Sequence, residues 1–561
     1  MKKQTKLFTT LSAAALLTIG VSAVSMAAGW DNSTGEWRYL NNDGTEVTDT
    51  WKSANGNWFY LGSDGVMATN QLIEDNSNSK TRYYYVDQYG AMVKNTWKAV
   101  AKDDGNDNLD AEYWWYYFGS DGKAYTAEAP LSSSKIKTIN GLKYAFNDEG
   151  HMLYGWISKD NLQQQDEDED AWSTSQYFFN GWNDGHMQTG WIQLTVKDTN
   201  VKEDQDETQT YWFHFKNSGE KRTKSAKING TRYYFAEDGH MFTDWAKQAA
   251  NATSYSIKDG SANGLGTDSV VYVNGDGSQR KNKWVYAIPD EDFIKKDYED
   301  DEYRWFYFKS SGKLATDEIK KINGKNYAFD ENGVMKVGFV TTDSDKHSVA
   351  GLGKGDKWTR DAILAGTNTE GKSIDTLFFY FSDNEEKDGS MKKGYQTIEL
   401  DDNSYQFYFN TSNGEAKTEY SSKIKKYIKN GLVLAPIADD ESNYAAVKVD
   451  GNNTPDGARC LKFGKDTEGN ILVNRSGSVM KSKTKLKDSN DAYYIVNAAG
   501  VVLAYYDSED AYNKATQLEK DDKKKTVNVS ELLKKDEYKG ANADPIDFQN
   551  ELELKRQNLF K

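Results

Sequence analysis

Residues 227–245 read KINGTRYYFAEDGHMFTDW, and this stretch decides the fold. It joins a run of aromatic residues to a tight turn at Gly239, which is followed by a methionine and a tryptophan. Related phrases stand at residues 138–156, TINGLKYAFNDEGHMLYGW, and at residues 322–339, INGKNYAFDENGVMKVGF. An aromatic run that ends in Asp-Gly, Asn-Gly or a near relative is typical of a β-hairpin, because glycine adopts the positive φ of the turn. The stretch therefore predicts a hairpin that is repeated along the chain.

Alignment on the turn glycine extends the repeat well beyond three copies. Phrases such as WFYLGSDG, ending at Gly65, have the period-two character of strands. A single hairpin is marginally stable in water because one aromatic face has no packing partner, and stacking many hairpins provides that partner. We therefore predict an all-β fold, an elongated β-hairpin solenoid, with Trp58 and Tyr60 on one strand face and Phe59 on the other. The turn glycines that define the repeats are Gly44, Gly65, Gly90, Gly122, Gly150, Gly219, Gly239, Gly312, Gly333 and Gly414.

The chain divides into four predicted segments. A basic start and an apolar stretch make residues 1–27 a predicted secretory signal peptide, too short for a membrane anchor. Residues 28–436 carry the hairpin repeats with acidic loop insertions, and residues 437–506 carry divergent C-terminal repeats. Residues 507–561 are charged, and we predict that they are partly helical or disordered.

The composition excludes several classes of protein. The chain has 16 Trp and 36 Tyr but only 37% hydrophobic residues, which favours many small aromatic cores over one large aliphatic core. A formal net charge of −16 makes nucleic acid an unsuitable partner. Cys460 is the single cysteine, so we predict no internal disulfide and expect a buried thiol rather than a nucleophile.

Three phrases carry a family resemblance: GWDNSTGEWRYLNNDG from Gly29, WKSANGNWFYLGSDGVMATN from Trp51, and the stretch at residues 227–245. They resemble the cell-wall-binding repeats of choline-binding proteins, the related glucan-binding repeats of glucosyltransferases and the repeats of large glucosylating toxins. The resemblance covers residues 29–436 and, weakly, residues 437–506. It implies the hairpin fold and leaves the ligand open, because members of these families bind choline, glucan or other glycans.

In the choline-binding branch, the resemblance implies that a ligand lies between successive hairpins. It would be enclosed by an opening tryptophan, an aromatic residue of the strand, and an aromatic residue or methionine of the neighbouring hairpin. The Gly-Trp opening is present only at Gly29-Trp30, Gly155-Trp156 and Gly190-Trp191, and Phe339 replaces the tryptophan in a later repeat, so we expect many of the sites to be inactive. Each ring also serves to bury the next hairpin, and packing alone is the competing interpretation. The predicted ligand residues are the opening tryptophans Trp30, Trp51, Trp97, Trp156, Trp191 and Trp245, the strand aromatics Trp37, Trp58, Trp115, Trp212 and Tyr233, and the methionines Met67, Met92, Met152, Met187 and Met241.

No catalytic machinery is predicted. His151, His186 and His240 occupy one repeat position after the turn glycine, which makes them a repeat feature rather than members of a triad. The sequence contains no nucleophile elbow, phosphate loop or zinc motif. We therefore expect a protein that is not an enzyme and needs no cofactor, and we do not expect a hydrolase within residues 340–375.

The acidic insertions raise the question of calcium binding. Asp166, Asp168 and Asp170 alternate along the chain, but the sixth position of an EF-type loop would be Ala171 rather than glycine. Solvated acidic loops are the favoured interpretation, and no metal site is predicted.

The sequence leaves three functions open. The first is a secreted, non-catalytic protein held noncovalently at the cell envelope by choline-bearing teichoic acid or another wall polymer. The second is an extracellular protein that binds glucan or starch by stacking rings on sugar faces. The third is an adhesin or surface scaffold whose aromatic residues are all structural. None of the three implies nucleic-acid binding or membrane insertion.

Overall fold

A computed structural model describes most of the chain. The described residues are 28–77, 79–102, 111–162, 171–199, 207–248, 255–256, 270–289, 302–383, 388–437, 440–457 and 459–561. The predicted signal peptide at residues 1–27 and the acidic positions Asp166, Asp168 and Asp170 lie outside them. Among the described residues, no helix is long and apolar enough to cross a membrane.

The described residues form two compact units. The first includes the described residues up to Thr243, with Tyr255–Ser256 and Gly275–Ser278. The second includes residues 244–248 and 270–274 and everything described from Gln279 to Lys561. In the first unit, consecutive strands pair as antiparallel two-stranded hairpins. Its strands before Thr243 are β1 (Gly29–Asp31), β2 (Arg38–Leu40), β3 (Thr50–Ala54), β4 (Asn57–Leu61), β5 (Gln71–Asp75), β6 (Arg82–Val86), β7 (Thr96–Ala101), β8 (Tyr113–Phe118), β9 (Lys137–Ile139), β10 (Leu142–Tyr144), β11 (Gly155–Ile157), β12 (Tyr177–Phe179), β13 (Gly190–Lys197), β14 (Thr208–Phe215), β15 (Lys224–Ile228) and β16 (Thr231–Phe235).

The second unit begins with hairpins and continues into broader sheets. Strands β20 to β23 form two further hairpins, and β28 to β32 belong to one five-stranded sheet. The remaining strands are β17 (Asp244–Gln248), β18 (Tyr255–Ser256), β19 (Val270–Val273), β20 (Lys283–Ala287), β21 (Arg304–Phe308), β22 (Glu318–Ile322), β23 (Lys325–Phe329), β24 (Met335–Lys336), β25 (Gly338–Thr342), β26 (Ala350–Gly353), β27 (Leu377–Phe381), β28 (Gly394–Leu400), β29 (Asn403–Phe409), β30 (Glu419–Ser421), β31 (Lys426–Lys429), β32 (Leu432–Val433), β33 (Tyr444–Val447), β34 (Leu461–Lys462), β35 (Ile471–Asn474), β36 (Lys483–Lys487), β37 (Tyr493–Val496), β38 (Val502–Tyr506), β39 (Gln517–Lys520) and β40 (Lys523–Thr526).

Helix is scarce until the C-terminal end of the chain. In the described residues before residue 506, α1 (Ala171–Thr174) and α2 (Arg360–Ala365) are the α-helices. The segment 507–561, for which helix and disorder were both left open, contains α3 (Glu509–Thr516), α4 (Val529–Leu532), α5 (Asp536–Lys539) and α6 (Pro545–Gln557). Helix α6 starts where the Asp544 carboxylate accepts a hydrogen bond from the Ile546 backbone N–H at 2.7 Å, with Pro545 at its first position.

The predicted hairpin fold is confirmed in its local detail. Gly65 and Gly239 have φ values of 72° and 91°, the positive values expected for the turns. On β4, Phe59 is 2% exposed and Trp58 is 43% exposed, as strand alternation predicts. Cys460 is a free, fully buried thiol, and burial raises its pKa.

Consecutive hairpins of the first unit are joined by one recurring backbone hydrogen bond. The residue two positions after the turn glycine donates its N–H to a carbonyl on the second strand of the preceding hairpin. Examples are Met152 to Trp115 at 2.8 Å and Met241 to Trp212 at 2.7 Å. The side chain at this position then packs on the turn glycine of the following hairpin, as Met187 does on Gly219. The hairpins therefore form a nearest-neighbour stack.

This packing predicts that Gly219→Ala destabilises the first unit more than Gly230→Ala does. Both glycines have similar φ values, 89° and 88°, so both substitutions carry the strain of a left-handed alanine, about 1 kcal/mol. At Gly219 the added Cβ would lie 2.2 Å from Met187 Sδ, whereas at Gly230 nothing lies within 4 Å. We expect Gly219→Ala to cost a further 1–3 kcal/mol, roughly, from overpacking. Urea denaturation measures the difference, and equal midpoints for the two variants would contradict the packing.

Candidate functional site

The aromatic residues assemble into sets that bridge two hairpins. We call such a set an aromatic box: an opening tryptophan, a tryptophan on the second strand of the same hairpin, and a ring from the next hairpin. In the first unit, Trp97 on β7 lies 6.5 Å from Trp115 on β8, with ring planes at 80°. Its ring also lies 4.9 Å from Tyr144 on β10, at 66°. Met152 is buried in the same cluster.

The same box is built twice more with nearly the same geometry. Trp191 lies 6.3 Å from Trp212 at 84°, and 4.8 Å from Tyr233 at 65°. In the second unit, Trp284 lies 6.1 Å from Trp305 at 89°, and 4.8 Å from Tyr327 at 72°. The methionines of these two clusters are Met241 and Met335.

A related box stands at the start of the described residues. Trp30 lies 6.5 Å from Trp37 at 77°, and 5.4 Å from Phe59 on the next hairpin at 74°. Phe59 occupies the position that tyrosine holds in the other boxes. Met67 joins the two hairpins by donating its N–H to the Trp37 carbonyl at 2.8 Å.

Strand register explains why each box closes. On β8, Trp115 and Tyr117 stand two residues apart and face the same side, and Tyr117 is the cross-strand partner of Trp97. The opening tryptophan therefore lies over its own hairpin and reaches the next one. The tryptophan rings of the three Trp–Trp–Tyr boxes remain half-buried, and Trp212 is 40% exposed. Ring surface thus stays accessible to a ligand while the methionines are buried.

The chemistry of these boxes is that of neutral aromatic faces. Burial raises the pKa of Tyr144 and of Tyr327, so both phenols stay protonated at neutral pH. An aromatic face attracts a cation through its quadrupole, most strongly when the face belongs to tryptophan. Rings set at steep angles surround a small volume, which suits a compact cation better than it suits a flat sugar ring.

Several sequence-predicted residues lie outside a complete box. Trp51 contacts Tyr60 at 5.2 Å and Tyr84 at 5.0 Å, but its ring makes no contact with the ring of Trp58 in the described hairpin, unlike the tryptophan pairs of the complete boxes. Trp245 is only 5% exposed and packs on Phe306 at 4.8 Å. The remaining predicted methionines, Met92 and Met187, pack in hairpin cores.

In the second unit, Phe339 also lies outside a complete box. Phe339, which replaces an opening tryptophan, is fully buried against Phe378 and Trp358. No ring surface of Phe339 is therefore left for a ligand.

Trp156 also differs from the box tryptophans. It lies 4.8 Å from Phe178 and 5.3 Å from Phe213, but Gln176 holds the place of the second tryptophan. That assignment rests on the backbone: the Gln176 carbonyl accepts the recurring hydrogen bond, as the carbonyls of Trp115 and Trp212 do.

Sequence reasoning missed several box members. Trp284, Trp305 and Tyr327 form a complete box that was not predicted, and Tyr144 and Phe59 were not named as walls. A signal was available, because Trp305 stands at the same distance before Gly312 as Trp115 does before Gly122. Counting back from every turn glycine would have found Trp305, Tyr327, Tyr144 and Phe59.

The repeated histidines have a packing role. His151 stacks on Trp114 at 4.2 Å and its Nε2 is hydrogen-bonded to the Tyr116 hydroxyl at 2.9 Å. Burial, with a smaller contribution from Lys102, lowers the pKa of His151 to about 4. His240 likewise stacks on Tyr211 at 4.6 Å and contacts the Asp238 carboxylate at 2.7 Å. Within the described part of the chain, no cluster of three or more His, Cys, Asp or Glu could hold a metal ion.

Comparison with known proteins identifies the repeats. The model of the choline-binding repeat matches residues 47–97, and the model of the putative cell wall binding repeat matches residues 115–124 and 226–241. Glucosyltransferase-S of Streptococcus mutans is 28% identical over 279 residues, which are 47% of this chain and 15% of that protein. Glucosyltransferase-I of Streptococcus downei is 26% identical over 331 residues, which are 56% of this chain and 17% of that protein.

Among solved structures, CbpJ from Streptococcus pneumoniae is similar at 16% identity, with a TM-score of 0.30, over 69% of this chain and 99% of that chain. The alignments with the two glucosyltransferases span less than a fifth of the length of either enzyme.

Proposed function

We propose that this chain, a protein of the choline-binding and cell-wall-binding repeat type, binds a wall polymer that carries choline. The observation that carries the proposal is the threefold repetition of one Trp–Trp–Tyr geometry with a buried methionine in the same cluster. Packing alone would favour fully buried rings, whereas the tryptophans of the boxes around Trp97, Trp191 and Trp284 keep accessible ring surface.

The expected affinity of one box is low. A quaternary ammonium gains about 0.5–2 kcal/mol from each ring that it faces. Three rings then give a few kcal/mol, which corresponds to roughly millimolar dissociation constants. Several boxes that engage one polymer raise the effective concentration and convert weak sites into firm retention.

We propose in addition that the chain is not an enzyme and acts outside the cell. His151 and His240 are engaged in stacking, and Cys460 is fully buried, so none of these groups is presented for chemistry. A non-catalytic protein held at the surface through its repeats agrees with the repeat type and with the sequence of residues 1–27.

Glucan binding is the second candidate function. It is favoured by the two glucosyltransferases, which match about half of this chain. A sugar ring stacks best on a flat exposed face, and the half-exposed Trp58 and Trp212 offer such faces. The two candidates therefore place the ligand differently, either enclosed among three rings or lying on one exposed ring.

Elution from an amine resin separates the candidates. The protein is bound to a tertiary- or quaternary-amine resin, and millimolar choline chloride is compared with sodium chloride at equal ionic strength. We expect choline to elute the protein at concentrations where sodium chloride does not, because choline competes with the resin for the boxes. The sodium chloride control is needed because an acidic chain also binds the resin by charge, and binding by charge responds equally to both salts.

The control for this experiment is insoluble α-glucan. Equal elution by both salts, together with capture by α-glucan, would replace the choline proposal by glucan binding. A folded protein that binds neither material would favour the scaffold interpretation.

A further inference from the structure

One repeat carries a lysine where its neighbours carry methionine. Lys221 stands two positions after the turn glycine Gly219, as Met152 stands two positions after Gly150 and Met241 two positions after Gly239. Its backbone N–H donates to the Gln176 carbonyl at 2.6 Å, the same bond that Met241 makes to Trp212. Lys221 is therefore the repeat equivalent of the methionines that are buried in the clusters of the aromatic boxes.

The stem of Lys221 also takes over the packing role of methionine. A Cβ built at Gly239 would lie 2.5 Å from Lys221 Cδ, just as a Cβ at Gly219 would lie 2.2 Å from Met187 Sδ. The methylene groups thus fill the space that a thioether fills in neighbouring repeats, and only the ammonium group is new.

That ammonium lies among the rings of the Trp156 hairpin and the next one. Lys221 Nζ is 5.2 Å from the centroid of Trp156 and 6.0 Å from that of Phe213. It donates hydrogen bonds to the backbone carbonyls of Trp172 and Ser173. The residue is 7% exposed, and its cation lies beside two rings and two carbonyl oxygens.

We propose that Lys221 is a built-in ligand: its ammonium occupies the cation position between Trp156 and Phe213 and closes this site to external cations. The inference rests on the proposed function, since it assigns to the neighbouring boxes an affinity for quaternary ammonium. It also explains the missing second tryptophan, because a site filled by its own chain needs no ring at Gln176. Replacing Lys221 with methionine restores the common repeat residue and opens the site.

The charge of the buried ammonium depends on pH. Burial lowers the pKa of Lys221 to about 7, and the carboxylate of Asp238 partly offsets the effect. Burial thus disfavours the cation, while the carbonyl oxygens of Trp172 and Ser173 that accept its hydrogen bonds favour it. At about pH 6 the ammonium is protonated and the site is filled.

Counting bound choline tests the proposal. Equilibrium dialysis with labelled choline at about pH 6 compares the wild-type chain, Lys221→Met and Lys227→Met, an exposed lysine whose loss changes the charge equally. We expect one additional choline per chain for Lys221→Met, at a choline concentration high enough to fill a site with two ring walls instead of three, and no change for Lys227→Met. The double variant Lys221→Met/Trp156→Ala should lose the added site again. An unchanged count in Lys221→Met, with near-ultraviolet circular dichroism showing an intact fold, would overturn the proposal.

Two further measurements keep the outcomes distinct. Lys221→Leu serves as the second opening variant, because Leu314 holds the equivalent position in the second unit. If the wild-type chain binds no choline, the proposed function fails. The position of the Lys221 ammonium between the rings is then tested separately, by NMR of ¹³C-labelled lysine. An ε-methylene signal displaced by ring currents, and restored to its ordinary position in Trp156→Ala, supports the filled site. Ordinary shifts for all lysines in the wild-type chain would overturn it.

Discussion

Replacing Trp358 with alanine is expected to lower the free energy of unfolding of the second unit by about 3–5 kcal/mol. The ring is fully buried, lies 5.3 Å from Phe339 and 5.8 Å from Phe378, and its Nε1–H donates to the Leu352 carbonyl at 3.1 Å. Its removal leaves a large cavity and takes away one of the two hydrogen bonds that the Leu352 carbonyl accepts, the other coming from the Asn368 side-chain amide at 2.8 Å. Urea denaturation followed by tryptophan fluorescence and circular dichroism measures the loss.

The matched control is Trp305→Ala in the same unit. The ring of Trp305 is half-buried in its aromatic box, so its loss should cost clearly less than that of Trp358. Choline binding should respond in the opposite order, with Trp305→Ala losing a site and Trp358→Ala keeping the sites of the first unit. Equal destabilisation by the two substitutions would remove the distinction between structural and box tryptophans.

The double variant Trp115→Ala/Trp212→Ala should lose most retention on a choline-bearing surface. Each substitution removes one wall from a box of the first unit, and both rings are partly exposed, so the hairpins remain stacked. Because retention depends on boxes that act together, losing two should reduce it by roughly 100-fold. Retention on choline-coated beads measures the effect, and dialysis should show two fewer bound cholines.

The control for this variant is Tyr89→Ala/Tyr113→Ala. These tyrosines are 51% and 41% exposed in the first unit and belong to no box. Their removal should leave retention unchanged. A similar loss in both double variants would mean that exposed aromatic surface in general, rather than the box, holds the polymer.

The local fold could be predicted from the sequence because its signals are local. The turn at Gly239 needs only neighbouring residues, and strand alternation alone separates Phe59 from Trp58. Box membership is different, since a box is shared by two hairpins and depends on which of them stack. Trp97 was therefore identified through its resemblance to known repeats, while its partner Tyr144 was not.

The C-terminal part could not be predicted for a related reason. One large core joins residues as distant in sequence as Phe339, Tyr493 and Leu552. No periodic phrase links them, and the charged surface of α6 conceals the buried Phe548. The predicted boundaries at residues 436 and 506 stay predictions.

The recurring backbone hydrogen bond between successive hairpins has a mechanical consequence. A stack in which each hairpin is joined only to its neighbours, by this bond, by rings and by a few side-chain hydrogen bonds, is expected to open at one junction at a time under tension. Each peeled hairpin takes its own wall from one box and leaves the more distant boxes closed. If several boxes hold the protein on its polymer, it would dissociate in steps under flow, whereas a protein bound at one rigid site would dissociate in a single event.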